Sequence, residues 1–374
     1  MRVLHLPQNI ASIPSHTVRS LRQRGIEASG LVISNPQLQS SEGLKVQRMA
    51  SKPVWRRTLD QFAWFIRMAS LSASADLLHW YYGRPVLLGG FDLTWLGWLR
   101  KPALVEWMGS DIRQPDIESA DNSYYQRVYT SGDDKNQPYE YAASESRQAS
   151  LHAQRRFAAA GFAAAADRGL FQYIDRQVFP QPYLLPRRLI LDDYPETYPD
   201  VNVRCPIVVH SPSAPVAKGT HTVLRAVQQV LGQPSGDANA YREKEPAFEF
   251  RLLQALPRAQ VLAQVQAADI VLDQFVLGDF GMAALEAMAC GKPVICYIKP
   301  ALAAAYGPDL PVVNATQENL AEALQALLGD PKRRRELGCL GREYVAKKAD
   351  LKVIAPQLLE IYQELISSRR RQHG

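Results

Sequence analysis

The chain has 374 residues, of which 47% are hydrophobic and 21% are charged, and its formal net charge is +6. These values are typical of a globular protein, and the length exceeds that of one hydrophobic core, so two domains are expected. The sequence lacks a bilayer-length apolar run, cysteines at metal-ligand spacing and any nucleic-acid motif, which argues against a membrane-spanning, zinc-binding or nucleic-acid-binding protein.

The first half of the chain alternates strand and helix patterns from its first residues. Because a strand pattern opens the chain at 2–6 with no signal-peptide pattern before it, a cytoplasmic protein is expected. Strands are also predicted at 29–34, 76–81 and 102–108, and helices at 92–99 and in a segment that ends near Gly25. Residues 114–150 are predicted to be irregular, and residues 149–166 to be helical. Residues 180–205 are predicted to be a linker.

The second half continues this alternation, which predicts a doubly wound parallel sheet in each half of the chain. Strands are predicted at 207–210, 248–255, 269–273, 293–298 and 310–313. Helices are predicted at 218–231, 257–267, 282–290, 317–328 and 351–367. Residues 233–247 are rich in Gly, Pro, Glu and Lys and are predicted to be an inserted surface loop.

Residues 52–68 mix arginines with Trp55, Phe62, Trp64 and Phe65. One interpretation is a helix at the surface of an anionic membrane, where aromatic rings and arginines suit the headgroup layer. The other is a helix packed on its own domain with solvated arginines. The second interpretation is favoured, because the charges are few and do not share one face.

The most informative motif is the segment 277–295, which reads as a glycine loop, a helix and a buried strand. Gly278 and Gly281 allow a sharp turn and a close approach of a ligand to the backbone. The helix is predicted to start near Met282, so its free N–H groups face the loop and suit an anionic or oxygen-rich ligand. Glu286 lies about one turn inside this helix, within reach of the loop.

A second motif, at 210–220, follows the apolar strand 207–209 and precedes a helix with apolar residues at helical spacing. A small polar loop containing Ser213 leads to Lys218 and Gly219 at the helix start. This arrangement brings a cation and free N–H groups to one place, which suits a phosphate. A solvated surface lysine is the alternative interpretation of Lys218 taken alone.

Together the two motifs resemble the retaining, nucleotide-sugar-dependent glycosyltransferases of the GT-B fold known as family four, or glycosyl transferases group 1. The pairing of Lys-Gly at 218–219 with Phe-Gly-Met at 280–282 and Glu-Ala-Met-Ala-Cys-Gly-Lys-Pro-Val at 286–294 carries the resemblance. The stretch 206–298 resembles the C-terminal half of these enzymes. The N-terminal half matches more weakly, at 21–26, 76–80 and 109–113.

The resemblance implies a GT-B fold, in which two Rossmann-like domains with doubly wound parallel sheets face a central cleft. The expected domains are an acceptor-side domain at 1–195 and a donor domain at 196–350, and the C-terminal helix at 351–374 is expected to cross back onto the first. The implied reaction is transfer of a sugar with retention, without a metal or cofactor, from a nucleotide-diphosphate sugar. The acceptor is expected to be a glycan, a lipid-linked molecule or a protein.

The same resemblance assigns the donor site residue by residue. Lys218, with Ser213 and Gly219 in its loop, is expected to neutralise the diphosphate, since leaving-group charge must be stabilised as the glycosidic bond breaks. The N–H groups of Phe280, Gly281 and Met282 are expected to meet the donor sugar or its phosphate. Glu286 matches the family's second glutamate, which is expected to bind the ribose hydroxyls, a role that suits a carboxylate.

Three positions depart from the family pattern. The first glutamate falls at Gly278, and the neighbouring Asp279 is a candidate substitute whose side chain is expected to point elsewhere. An arginine common before the lysine is absent from the loop 213–217. A histidine common before Gly-Ser-Asp is replaced by Met108.

Candidates in the first half have structural alternatives. Asp111 and Arg113 follow a predicted strand, where the active sites of α/β proteins gather. In one interpretation, one of them orients an acceptor hydroxyl; in the other, the two form a local ion pair that caps a loop. His79 is a candidate substrate contact, although a buried structural histidine is favoured. Asn9, in the first strand–helix loop, is a candidate for contact with phosphate or acceptor, and turn formation is the alternative.

Two classes of function remain open after these considerations. The favoured one is a glycosyltransferase, because a degenerate site has no evident need to keep Lys218, Gly281 and Glu286. The alternative is a catalytically weakened GT-B-like protein that binds nucleotide or glycan as a partner subunit, and the departures support it. A sugar-nucleotide epimerase has the same fold, but no pair of acid–base carboxylates is identifiable in the sequence.

Overall fold

The computed structural model describes residues 1–33, 39–49, 53–132, 137–232 and 248–373, and the predicted inserted loop at 233–247 lies outside them. The chain divides into two units. Unit 1 comprises Met1–Gln114, Ser144–Ile190 and Ala349–Gly374, and unit 2 comprises Pro115–Ala143 and Leu191–Lys348.

Unit 1 contains a parallel sheet with the strand order β3-β2-β1-β4-β5-β6-β7. Its strands are β1 Arg2–Pro7, β2 Glu27–Val32, β3 Lys45–Val46, β4 Leu77–Tyr81, β5 Ala103–Trp107, β6 Phe162–Ala166 and β7 Tyr183–Leu184. Strands β4 and β5 are buried at every position, as expected for central strands of a parallel sheet that is covered on both faces. The strand order reverses between β1 and β4, which makes this the switch point of the sheet.

The helices of unit 1 cover this sheet. They are α1 Ile13–Gln23, α2 Val54–Ser74, α3 Phe91–Trp98, α6 Arg147–Ala159 and α14 Leu351–His373. The C-terminal helix α14 belongs to this unit, and its residues Leu358 and Tyr362 pack in one core with Val3 and Leu77. None of the helices in the described part of the chain combines the length and the apolar character of a bilayer-spanning segment.

The prediction of a continuous helix at 149–166 is wrong in its second part. The helix α6 ends before Gly161, which has a positive φ of 82°, and Phe162–Ala166 forms strand β6 between β5 and β7. Alanine favours helices, but here the pairing of β6 within the sheet outweighs that intrinsic preference.

The prediction that 114–150 is irregular is also wrong for much of its length. Residues Pro115–Asp121 and Ser123–Ser131 form helices α4 and α5, and the side chain of Asn122 caps α5 by accepting from Tyr125 N at 3.1 Å. Both helices lie in unit 2, although the boundary drawn from the sequence assigns them to the first domain.

Unit 2 contains a second parallel sheet, with the order β12-β11-β10-β8-β9. Its strands are β8 Ile207–His210, β9 Glu249–Leu252, β10 Ile270–Leu272, β11 Val294–Cys296 and β12 Val312–Asn314. Strand β10 lies on the opposite side of β8 from β9, so the switch point of this sheet is between β8 and β10. Ligands of open α/β sheets bind at such a point, at the carboxyl ends of the strands.

The remaining helices of unit 2 follow the expected alternation, with three that the sequence did not predict, α7, α11 and α13. They are α7 Pro215–Lys218, α8 Thr220–Val230, α9 Arg258–Ala267, α10 Met282–Ala289, α11 Pro300–Tyr306, α12 Leu320–Gly329 and α13 Pro331–Lys348.

Candidate functional site

The two motifs singled out in the sequence follow the neighbouring strands β8 and β10 of unit 2. Because these strands run parallel and pair directly, the loops at their carboxyl ends meet at the switch point of the sheet. The segment between β8 and α8 contains Lys218 and is here called the lysine loop. The segment between β10 and α10 contains Gly278 and Gly281 and is here called the glycine loop.

Lys218 is the last residue of the short helix α7, and the left-handed Gly219, with φ of 72°, separates it from α8. The backbone oxygen of Lys218 accepts a hydrogen bond from Phe275 N at 3.0 Å, which fixes the lysine loop to the segment after β10. Its Nζ lies 2.8 Å from Asp273 Oδ1, and only 14% of its side chain is exposed. The lysine is therefore held in place at the edge of the sheet.

Asp273 joins the two loops. Its Oδ1 binds Lys218 Nζ, and its Oδ2 accepts the N–H of Gly281 at 2.6 Å. A Cβ atom at Gly281 would lie 2.7 Å from Lys218 Nζ, so a side chain at this position would displace the lysine ammonium. The structure thus brings together Lys218 and Gly281, as predicted, around a carboxylate that the sequence did not assign to the site.

The rest of the glycine loop is fixed by Asp279. Its Oδ1 accepts the N–H of Phe280 at 2.9 Å and a hydrogen bond from the hydroxyl of Tyr306 at 2.9 Å. The Phe280 ring is buried against Tyr306, with 5.2 Å between ring centroids. The carboxylate of Asp279 therefore organises the loop, while Met282 begins helix α10 beside it.

Gly278, where the family pattern places a glutamate, has a left-handed backbone with φ of 66°. A Cβ atom there would lie 3.1 Å from Asn122 Nδ2 and 3.2 Å from Lys299 Cβ. Asn122 Nδ2 donates to Val276 O at 2.8 Å, and Lys299 Nζ lies 2.9 Å from Glu118 on α4. The helix pair α4–α5 and Lys299 thus crowd the space into which a side chain at 278 would start.

Glu286 lies in the second turn of α10 and is paired with two residues that the sequence reasoning missed. Its Oε1 accepts from Arg258 Nη1 at 2.5 Å and from the Tyr194 hydroxyl at 3.0 Å, while Arg258 Nη2 donates to Tyr194 at 2.8 Å. Burial opposes the charge of Arg258, but the Glu286 carboxylate outweighs it and raises the arginine pKa. Both bonds go to Oε1, and none from a described residue goes to Oε2.

One sequence signal pointed to Arg258. It opens α9 directly after Pro257 and follows β9, whose carboxyl end lies next to that of β8. Tyr194 comes from the segment predicted to be a linker, and no pattern in that segment marked it.

Two N–H groups just before Lys218 bind a carboxylate of the same unit. Glu140 accepts Val216 N at 2.7 Å and Ala217 N at 3.0 Å. Ser213 is exposed in the same loop.

His210, at the end of β8, supports the lysine loop from below. Its Nδ1 lies 2.9 Å from Leu272 O, and its Nε2 lies 3.0 Å from Thr220 Oγ1 at the start of α8. Burial lowers the pKa of this histidine to about 4, so it is neutral near pH 7.

In unit 1, Asp111 binds backbone groups of two loops. It accepts the N–H groups of Gly83 at 2.6 Å, Gly109 at 2.7 Å and Met108 at 3.0 Å, and burial raises its pKa. The local ion-pair interpretation expected Arg113 to pair with Asp111, and this is wrong. The guanidinium of Arg113 bonds instead to the buried Glu145.

Asn9 follows β1, beside the switch point of the first sheet. It is buried, and its Nδ2 donates to Ser40 O at 2.8 Å. Its Oδ1 has no hydrogen-bond partner among the described residues. The side chain therefore fixes the loop and keeps one acceptor unused.

His79 is a residue of strand β4 and is fully buried, so the prediction that it contacts a substrate is not supported. Its Nε2 lies 3.1 Å from Glu106, and its Nδ1 lies 2.6 Å from the hydroxyl of Tyr362 on α14. Arg188 forms two hydrogen bonds to Glu106, at 2.7 and 2.8 Å. Burial disfavours ionisation of Glu106, but Arg188 outweighs it and lowers the glutamate pKa to about 2.

Within the described ranges, no group of three or more His, Cys, Asp or Glu side chains is placed to hold a metal ion. The charged groups of the unit 2 site are instead a lysine, an arginine and carboxylates.

Comparison with known families bears on unit 2. Residues 205–344 match the family described as Glycosyl transferases group 1, and this range contains Lys218, Asp273, Gly281 and Glu286. The match covers less than half of the chain, and within it the recognition made from the two motifs is confirmed.

A D-inositol 3-phosphate glycosyltransferase of Kineococcus radiotolerans is 30% identical over 170 residues, which are 40% of this chain and 38% of that protein. The matched region thus spans well under half of that relative.

Two solved structures share the fold over almost the whole chain. Sucrose-phosphate synthase from Thermosynechococcus elongatus gives a TM-score of 0.60 at 17% identity, covering 98% of this chain and 100% of the other. HepE from Anabaena, in complex with UDP, gives 0.60 at 14% identity, covering 97% and 100%. At these identities the likeness concerns the fold, and it confirms the predicted GT-B class with two parallel-sheet α/β domains.

Proposed function

We propose that this protein is a glycosyltransferase that moves a sugar from a nucleotide-diphosphate donor to an acceptor hydroxyl. The observation that carries the proposal is the convergence of Lys218, the N–H of Gly281 and Asp273 at the switch point of the unit 2 sheet, within the stretch that matches the group 1 family. A cation and a backbone N–H aimed at one place are the groups that stabilise a departing diphosphate.

Asp273 has a positioning role in this proposal. Its carboxylate binds the lysine and the glycine N–H, and it keeps both at the edge of the sheet. A diphosphate that arrives competes with Asp273 for the same two donors. The carboxylate thus preorganises the site, and it also weakens binding of any anion that lacks further contacts.

Glu286 is proposed to bind the ribose through Oε2. Arg258 and Tyr194 hold the carboxylate from its other oxygen and fix its direction. Along helix α10, Glu286 lies roughly 7 Å from Gly281, a separation that gives the diphosphate and the nucleoside distinct contacts. Transfer with retention and without a metal is part of the proposal, as implied by the resemblance.

The first domain is proposed to bind the acceptor, which is a glycan, a lipid-linked molecule or a protein. Asn9, whose unused Oδ1 accepts hydrogen bonds, is the residue of unit 1 that we assign to contact with a hydroxyl of the acceptor. Asp111 is assigned a positioning role, since it holds the loops after β4 and β5. A cytoplasmic location is part of the proposal.

The competing proposal is a GT-B-like partner subunit that binds nucleotide or glycan without transfer. Two observations favour it: Glu140 and Asp273 occupy anion-binding groups, and Gly278 is crowded by α4–α5 and Lys299. Turnover is the property that separates the two proposals.

The test is release of nucleoside diphosphate from a panel of sugar nucleotides, with wild type and Glu286→Ala. Loss of a charged hydrogen-bond partner costs about 1.5–3 kcal/mol, so the variant should lose about ten- to a hundredfold in kcat/KM. The control is Glu343→Ala, on the exposed surface of α13, which should retain wild-type turnover. Nucleotide binding without release in the wild type, with a wide set of acceptors, would favour the partner subunit.

A further inference from the structure

Helix α2 exposes an apolar stripe to solvent. Trp55, Leu59, Phe62 and Ile66 are each more than half exposed, and their spacing places them on one face of the helix. The opposite face is buried, with Trp64 edge-on to Trp80 in the core of unit 1. The helix is therefore packed on its domain, as favoured from the sequence, and it is apolar on its outer face as well.

The stripe continues onto α3 and the turn before it. Phe65 contacts Phe91, with 5.3 Å between ring centroids, and Phe91 contacts Trp98 at 6.3 Å. Phe91, Trp98 and Leu88 are themselves exposed, so the stripe widens into one surface, here called the α2–α3 surface. Of the eleven exposed large hydrophobic side chains in the described residues, seven lie between 55 and 98. Apolar exposure concentrated in this way marks an interaction site.

The charges around this surface are mainly positive. Arg56 and Arg67 are exposed on one flank of the stripe, and Arg57 is exposed on the side of α2 away from it. The nearby carboxylates are engaged elsewhere: Asp92 is buried and accepts the N–H of Val86 at 2.6 Å, and Asp76 is paired with Arg2 at the far end of the sheet. Asp60 on α2 is half-buried.

We propose that the α2–α3 surface binds the face of an anionic lipid bilayer. Aromatic rings enter the interfacial layer of a bilayer, and arginines beside them meet lipid phosphates. A second copy of the chain fits less well, because a twofold contact would bring the same arginines of two copies together. The inference stands independently of the proposed transfer reaction, since no residue of the unit 2 site takes part in it.

The test is flotation of the full chain with vesicles of phosphatidylcholine alone and of equal parts phosphatidylcholine and phosphatidylglycerol. The wild type should float with the anionic vesicles, and added salt should weaken binding. The variant Trp55→Ser/Phe62→Ser/Trp98→Ser should lose binding by at least about a hundredfold, since each fully inserted ring contributes roughly tenfold. Arg56→Gln/Arg67→Gln should lose about fivefold per arginine on anionic vesicles only.

Leu340→Ser is the matched control, because Leu340 is an exposed hydrophobic residue on α13 of unit 2. It should float as the wild type does. Folding of each variant is checked by thermal unfolding, which these exposed substitutions should change little. Absence of flotation by the wild type, or equal flotation of the aromatic variant, overturns the proposal. If the wild type does not bind vesicles but sediments as a dimer, and the aromatic variant sediments as a monomer, the surface would be assigned to contact between copies.

Discussion

At the scale of single residues, the charges of the unit 2 site are paired with one another. Lys218 binds Asp273, and Glu286 binds Arg258. These pairs are partly shielded from solvent, so removing one partner leaves the other with an uncompensated charge. A substitution of one member therefore changes the position of its partner as well as its own contact.

His210 gives a prediction on pH at this scale. Its folded-state pKa is about 4 against an ordinary value of 6.5, because burial disfavours the charged form. Below pH 6.5 the unfolded chain takes up a proton that the folded chain refuses, so stability is lost as the pH falls. From pH 7 to pH 5 this histidine should contribute a loss of about 2 kcal/mol.

Urea unfolding of wild type and His210→Gln at the two pH values checks this expectation. The variant starts less stable, because it loses bonds to Leu272 and Thr220, but its free energy of unfolding should fall by about 2 kcal/mol less. His152→Gln, at an exposed position of α6, is the control. Parallel losses in wild type and His210→Gln would contradict the account.

At the scale of secondary-structure elements, the helix pair α4–α5 explains the departure at Gly278. A segment more than a hundred residues away in sequence packs beside the glycine loop through Asn122 and Val276. This packing disfavours a glutamate side chain at position 278.

Restoring that glutamate is predicted to harm the protein. Gly278→Glu places a side chain at φ of 66°, which costs about 1–2 kcal/mol, and crowds Asn122 and Lys299 in addition. Gly25→Glu is the matched control, since Gly25 has φ of 76° and a Cβ atom added there would meet no atom within 4 Å. Gly278→Glu should unfold at a lower temperature than Gly25→Glu and should gain no turnover; an equal melting temperature with raised turnover would refute the packing argument.

The sequence predicted those elements whose apolar pattern is local. The strands β8, β10 and β11 are short and fully or mostly buried, and each was expected at nearly its observed place. Strand β6 was missed because its alanines carry no strand preference and its pairing with β5 is a tertiary effect.

The same limit applies to the candidate site. Lys218, Gly281 and Glu286 were found because each belongs to a recognisable motif. Arg258 and Tyr194 were missed because they reach Glu286 from positions 28 and 92 residues away in the chain. Such contacts depend on the folded arrangement of strands and loops.

At the scale of the whole molecule, the chain combines two parallel-sheet domains of the GT-B class. Residues 205–344, in unit 2, match the group 1 glycosyl transferases. Buried polar groups also hold the first domain together. Arg188, Glu106 and His79 connect the sheet, and Tyr362 joins the C-terminal helix to them. The final helix is thereby fixed to the domain that contains the N-terminus.

We propose that unit 2 binds a nucleoside diphosphate through Lys218. Calorimetry with uridine, guanosine, adenosine, cytidine and thymidine diphosphates measures this binding. One of these should bind, and Lys218→Ala should weaken its affinity by about ten- to a hundredfold, since a charged hydrogen bond is worth about 1.5–3 kcal/mol. Lys347→Ala, at an exposed lysine of α13, should bind as the wild type does. Binding that Lys218→Ala leaves unchanged, or no binding of any diphosphate by the wild type, would contradict the account.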